Sequence, residues 1–269
     1  MTASILGWLA ITLYLVGSGL TIKQLRTNTI SASQFKRWIQ ICGGLALILH
    51  SITLYYSLLT PAGIDIGFFS IFSLVAWLAV ALLLVVTLQD TIECLSVIIF
   101  PFAAAALLLR LLYPQQNLLS QSLSAGLEFH ILTSLLAYSL LSIAAVQAIL
   151  LYLQDRHLHN KHTGGFVRAL PPLESMEKLL FKLIILGFIV LSISLASGIL
   201  YLDNMFAQHL VHKTILSIFA WMVFAVLLIG RWQFGWRGRV AIRWVLSGFI
   251  LLMLAYFGSK FVIELLLSR

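Results

Sequence analysis

The stretch Asp203–Phe261, DNMFAQHLVHKTILSIFAWMVFAVLLIGRWQFGWRGRVAIRWVLSGFILLMLAYFGSKF, reads as two apolar crossings joined by a knot of Arg, Trp and Gly. No charged residue interrupts the run from Thr214 to Gly230, and a second run begins at Trp244. Each is long enough to cross a hydrocarbon core of about 30 Å as a helix rising about 1.5 Å per residue. Lipid offers no hydrogen-bond partners, so the backbone must satisfy itself and the crossings are expected to be helical. A membrane barrel needs short alternating segments, and these runs do not alternate.

The same pattern recurs along the chain. Of its 269 residues, 61% are hydrophobic and only 10% charged, against about 25% charged residues in soluble domains. The expected fold is all-α, a polytopic membrane bundle forming a single integral domain over 1–269. Its eight spans are placed at about 2–22, 38–59, 68–88, 94–112, 127–153, 183–202, 214–230 and 244–267. Within the longest connection, Pro171 and Pro172 stop what precedes and LESMEKLLFKLI starts a helix that continues into the sixth span. Glu174 and Glu177 suit its first turns, where the helix dipole favours acidic residues.

The net charge of +8 sits in short connections between spans, which excludes nucleic acid as its reason and makes it an orientation signal. The first span has Lys23 and Arg26 behind it and no basic residue ahead, the reverse of a cleaved signal peptide. With the N-terminus outside, 13 of the 17 basic residues fall on the inner side. Both termini are therefore expected on the outer, periplasmic side of a bacterial cytoplasmic membrane. Cys42 and Cys94 lie in or beside apolar spans without a CxxC spacing, so neither a disulfide framework nor thiol redox chemistry is expected.

Ionisable groups at membrane depth carry the functional information, because each is costly unless it faces protein or water. His50 lies about 18 Å into the second span by helix rise. His130 stands at the start of the fifth span, and His209 and His212 at the start of the seventh. Ser134, Tyr138 and Ser142 follow His130 at steps of four, a polar stripe that should face protein or a cavity. Two readings of these histidines remain open at this point. One is interhelical packing, with His bonded to Ser and Tyr. The other is axial ligation of a haem iron by imidazoles from different helices. Arg110 and Lys213 lie at a similar outer level, where they suit either carboxylates of a ligand or lipid phosphates. The group RHLHNKH, with His157, His159 and His162, reads as a solvated basic loop. The Arg231–Arg243 knot reads as a stiff inner hairpin, and Gly187, Ser194 and Gly198 as a small-residue seam for close helix contact.

The segment HKTILSIFAWMVFAVLLIGRWQFGWRGR, with LAYFGSKF after it, resembles the C-terminal part of the cytochrome c assembly family of CcsA, CcmC and CcmF type. The shared features are the Ser217-to-Trp221 spacing, Arg231, the Gly235-Trp236-Arg237-Gly238 turn and Tyr256-Phe257-Gly258. LASG at Leu195–Gly198 and the run from Phe129 extend the resemblance over roughly Glu128–Phe261, and its size places it near the eight-span YpjD and HemX branch. The resemblance implies a non-enzymatic haem-handling protein that holds haem b non-covalently and acts in cytochrome c assembly or haem supply. It implies other membrane or cytochrome-assembly proteins as partners. His130 matches the family's external haem-ligating histidine. His130 with His212 is the expected axial pair, and His50 a deeper cofactor-binding candidate. Larger members carry a Trp-rich segment ending in W-D-P-K-E before the seventh span, where this chain reads LVHKT. Two further family histidines have no counterpart, at Ile229-Gly230 and beyond the Tyr-Phe-Gly. These departures remove the family's haem-presenting platform. The alternatives are a transporter or its accessory subunit, with Thr87, Gln147 and Gln154 as path residues, and a regulator or scaffold that binds no haem.

Overall fold

The computed structural model describes residues 2–27, 30–60, 63–89, 92–114, 118–119, 124–159, 170–201 and 211–258. Its helices are α1 (Thr2–Thr27), α2 (Ala32–Leu58), α3 (Phe68–Gln89), α4 (Ser96–Leu112), α5 (Ala125–His159), α6 (Leu173–Tyr201), α7 (Val211–Phe234) and α8 (Gly238–Met253). A single 3₁₀ turn, Glu93–Leu95, precedes α4, and a π turn, Leu254–Gly258, ends α8. Eight helices are long and apolar enough to span a membrane, so the protein is an all-α polytopic bundle. The chain divides into two compact units: unit 1 holds Met1–Gln121 with Arg156–Pro172, and unit 2 holds Ser122–Asp155 with Leu173–Arg269.

In unit 1, α1 packs on α2 and α4, and α3 packs on α2 and α4. Phe100, fully buried, enters where α1 and α2 offer only Gly17 and Gly43; a Cβ on either would fall within 2.9 Å of its ring. Pro101 lies inside α4 and has no N–H to give the Val97 carbonyl four residues back. Ser18 Oγ of α1 donates to that carbonyl at 3.3 Å, so a polar side chain restores in lipid what proline removed. One turn further, Thr21 Oγ1 and Ser96 Oγ share a hydrogen bond of 2.7 Å.

Three short strands cap one end of unit 1: β1 (Leu59–Thr60), β2 (Gly63–Asp65) and β3 (Leu118–Leu119), antiparallel in the order β1-β2-β3. Leu59 pairs with Ile64, and Ile64 with Leu119. Strands of two or three residues are too short to show a period of two, which is why the sequence reading has only loops there.

In unit 2, α7 and α8 form a hairpin whose turn is shorter than expected. Helix runs through Arg231–Phe234 and resumes at Gly238, so only Gly235–Arg237 lies outside it, and the expected loop over Arg231–Arg243 is corrected. The glycines make this possible: Gly235 and Gly238 take φ of 65° and 52°, conformations that other residues resist. Trp236 donates its backbone N–H to Gly230 O at 3.2 Å and lays its ring over Gly230, where a Cβ would collide with it. The ring also stacks on Trp244 at 5.4 Å and on Phe234 at 6.4 Å. Arg231 ties the turn to α6, pairing with Glu177 at 2.9 Å and lying 4.4 Å over the Phe181 ring. Arg239 of α8 pairs with Asp155 of α5 at 2.8 Å. The helix start after Pro172 is where the sequence reading has it, and α6 runs unbroken from Leu173 through the sixth span.

Candidate functional site: a histidine at one end of unit 2

His130 sits in the second turn of α5, half-buried against the last turns of α6. Its Nδ1 lies 2.9 Å from the carbonyl oxygen of Ser194 and 3.2 Å from Ser197 Oγ. A carbonyl can only accept, so in the neutral ring the proton sits on Nδ1 and the lone pair on Nε2. Serines hold this geometry from several directions. Ser197 Oγ donates to the same Ser194 carbonyl at 2.8 Å. Ser134 Oγ donates to His130 O at 2.6 Å and meets Ser194 Oγ at 2.7 Å. The seam is close because Gly187 leaves room, where a Cβ would fall 2.7 Å from Leu141 Cδ2. A neutral imidazole with its Nδ1–H on a backbone carbonyl is the arrangement in which histidine serves as a metal ligand through Nε2.

The predicted polar stripe divides between two neighbours. His130 and Ser134 bond to α6, whereas Tyr138 packs edge-on to Phe257 of the π turn at 5.4 Å and against Phe249 of α8 at 6.0 Å. Steps of four advance about 40° around a helix with 3.6 residues per turn, so the stripe winds from one partner to the next. Ser142 donates to its own helix at Tyr138 O.

His212 is the second residue of α7 and is exposed. Antiparallel α6 and α7 put the start of α7 at the end of the unit that holds His130. Lys213 beside it lies 5.6 Å over the Tyr256 ring. His209 lies outside the described residues.

His50 belongs to unit 1 and is fully buried. Its Nδ1 is 3.2 Å from Tyr14 Oη and its Nε2 is 2.9 Å from Ser73 Oγ, so both ring nitrogens have partners, on α1 and on α3. Arg110 is not poised for an outside ligand, which corrects the sequence reading. It is 6% exposed and pairs at 3.0 Å with Asp65, itself fully buried. Asp65 also accepts from Ser70 Oγ at 2.5 Å and from Gly67 N at 2.9 Å. Sequence reasoning missed this pair. The available signal was an acidic residue between spans two and three beside the basic end of span four.

His157 and His159 are exposed in the last turn of α5, not in a loop, where imidazole suits the negative end of the helix dipole; His162 lies outside the described residues. Thr87 bonds with Gln40 in unit 1, and Gln147 Nε2 donates to Met176 O at 2.9 Å in unit 2. Cys42 and Cys94 are free and buried. Among the described residues no group of three or more His, Cys, Asp or Glu forms a metal cluster.

Fold and site together define a multi-pass α-helical membrane protein with an oriented histidine at one end of a four-helix unit. Comparison with known proteins gives the class its family. The chain belongs to the cytochrome c assembly protein family, whose model matches residues 38–267. It is 32% identical over 234 residues to the inner membrane protein YpjD of Escherichia coli (strain K12), covering 86% of this chain and 89% of that one. It is 24% identical over 167 residues to the cytochrome c biogenesis protein CcsA of Prochlorococcus marinus (strain MIT 9515), 54% of each chain. Protein HemX of Brevibacillus brevis is 21% identical over 131 residues, 48% of each. The protein is thus a multi-pass inner-membrane protein.

Proposed function

We propose that this protein binds haem b non-covalently at the His130 end of unit 2 and handles it in cytochrome c assembly or haem supply. The observation that carries the reading is the His130–Ser194 hydrogen bond of 2.9 Å, which leaves the Nε2 lone pair for iron. Bound haem supplies an iron centre able to take axial nitrogen ligands. The residues of the chain do the rest. Ser194 and Ser197 fix the His130 ring, and Ser134 locks α5 to α6 beside it. His212, on α7 of the same unit, would be the second histidine to hold the haem in this proposal. His50 is the weaker candidate, because iron there requires Tyr14 or Ser73 to give up its bond. Family membership, with one relative named for cytochrome c biogenesis, supports the haem reading. The distribution of basic residues supports an orientation with the His130 end and both termini outside. No residue set described above forms a nucleophile–base pair, and the role proposed is binding and hand-over to other membrane or assembly proteins.

The test is the absorption spectrum of detergent-purified protein, oxidised and reduced, with wild type beside His130→Ala, His212→Ala and His50→Ala. A Soret band with sharp reduced α and β bands, weakened in the first two variants, is the expected result. Loss of the band in His50→Ala alone would move the site to unit 1. A colourless wild type that takes up no added haem would refute the proposal.

A further inference from the structure

Among the buried side-chain atoms of unit 2 that lack a hydrogen-bond partner, the Tyr138 hydroxyl stands in a place that a structural role does not account for. Tyr138 is only 9% exposed, and its hydroxyl has no partner among the described residues. A buried hydroxyl left unbonded costs about 1–3 kcal/mol, and phenylalanine would fill the same aromatic space without that cost. The ring is held by Phe249 and by Phe257, so its packing does not depend on the oxygen. Phe257 belongs to the π turn that ends α8, a wide turn of the kind that clusters at functional sites. The adjacent Tyr256 carries the Lys213 ammonium over its ring at 5.6 Å, which puts a positive charge into the corner formed by α5, α7 and the end of α8. Tyr138 also follows His130 by two turns on α5, about 12 Å of helix rise inward from the oriented imidazole. A buried phenol donor with a lysine in the same corner matches a carboxylate, since an anion takes charge-assisted hydrogen bonds that a neutral acceptor does not.

We infer that the Tyr138 hydroxyl, with Lys213 nearby, is the carboxylate contact of the ligand held at His130. The inference rests on the haem reading above, haem being a ligand whose polar edge consists of carboxylates. Tyr138 then anchors the ligand's edge while His130 takes its iron.

The test is a Soret titration of apo-protein with haem and, separately, with iron etioporphyrin, which has no carboxylates. Wild type, Tyr138→Phe and His130→Ala are compared, and the thermal midpoints of the apo-proteins are measured alongside. The expected result is a roughly tenfold weaker haem affinity in Tyr138→Phe, the equivalent of one good hydrogen bond. Iron etioporphyrin should bind wild type and Tyr138→Phe alike, and the apo midpoint of Tyr138→Phe should equal or exceed that of wild type. An unchanged haem affinity in Tyr138→Phe, with His130→Ala losing the band, would overturn this inference and leave the haem reading standing. An equal loss toward both porphyrins would overturn the carboxylate assignment. A lowered apo midpoint would show that the hydroxyl has a structural partner, which also overturns it. Failure of wild type to bind either porphyrin would refute the haem reading, and this inference with it.

Discussion

Each unit has a histidine bonded across helices, and the two histidines are finished differently. In unit 1, His50 has a hydroxyl on each ring nitrogen, and Asp65 gathers Arg110, Ser70 and a backbone N–H around one carboxylate, with only the Arg110 Nε of this cluster lacking a partner among the described residues. In unit 2, among the described residues, His130 is bonded on Nδ1 only and the Tyr138 hydroxyl two turns on has no partner. Groups closed on each other rigidify a bundle, whereas groups left half-closed stay costly until something else completes them. The comparison teaches that a histidine at membrane depth is informative through its second nitrogen more than through its position.

The comparison can be broken most forcefully at Asp65. Asp65→Asn leaves Arg110 charged and buried without its counter-ion, a loss expected to cost about 3–5 kcal/mol. Thermal unfolding of the detergent-purified variant should show a much lowered midpoint. A midpoint near wild type would mean that the pair is not closed off from water. His50→Phe comes next, since it orphans the hydroxyls of Tyr14 and Ser73 at about 1–3 kcal/mol, and it should keep any haem band. If its band vanishes while His130→Ala keeps one, the roles assigned to the two units are exchanged. Ser197→Ala removes one of the two contacts of His130 Nδ1 and leaves the Ser194 carbonyl, so haem affinity should fall several-fold, by about 1 kcal/mol. A loss as large as that of His130→Ala would make the hydroxyl, and not the carbonyl, the orienting group. Arg239→Ala is expected to do least: its pair with Asp155 is largely exposed, and solvent screens such pairs to little net worth. A large drop in its midpoint would show that this end of unit 2 is not solvated.

Much of the architecture was legible because lipid imposes a simple rule. A run of apolar residues long enough to cross must be helical, so eight spans could be read from Thr2 to the last crossing without any tertiary information. Helices also extend past the apolar runs: the ends of α5 and α7 carry Arg, His and Trp that remain helical, because their backbone bonds do not depend on apolar side chains. Pro171-Pro172 and the glycines of the α7–α8 turn were legible because both residue types act through the local backbone.

The site was legible as residue types and illegible as contacts. His130, Ser134 and Tyr138 stand out by spacing, but spacing on a straight helix does not say that two of them face α6 and the third α8. Nor could it distinguish Arg110, drawn inward by Asp65, from a cation waiting for a ligand. What the sequence determined by itself was therefore the solvent, the helices and the residues that have to be explained, since hydrophobic run length and backbone satisfaction are properties of consecutive residues. What the tertiary structure decided was which polar atoms are already paired. That depends on neighbours far along the chain, 64 positions in the case of Ser194 and His130, and a hydrogen bond is a matter of an ångström that no spacing along the chain encodes.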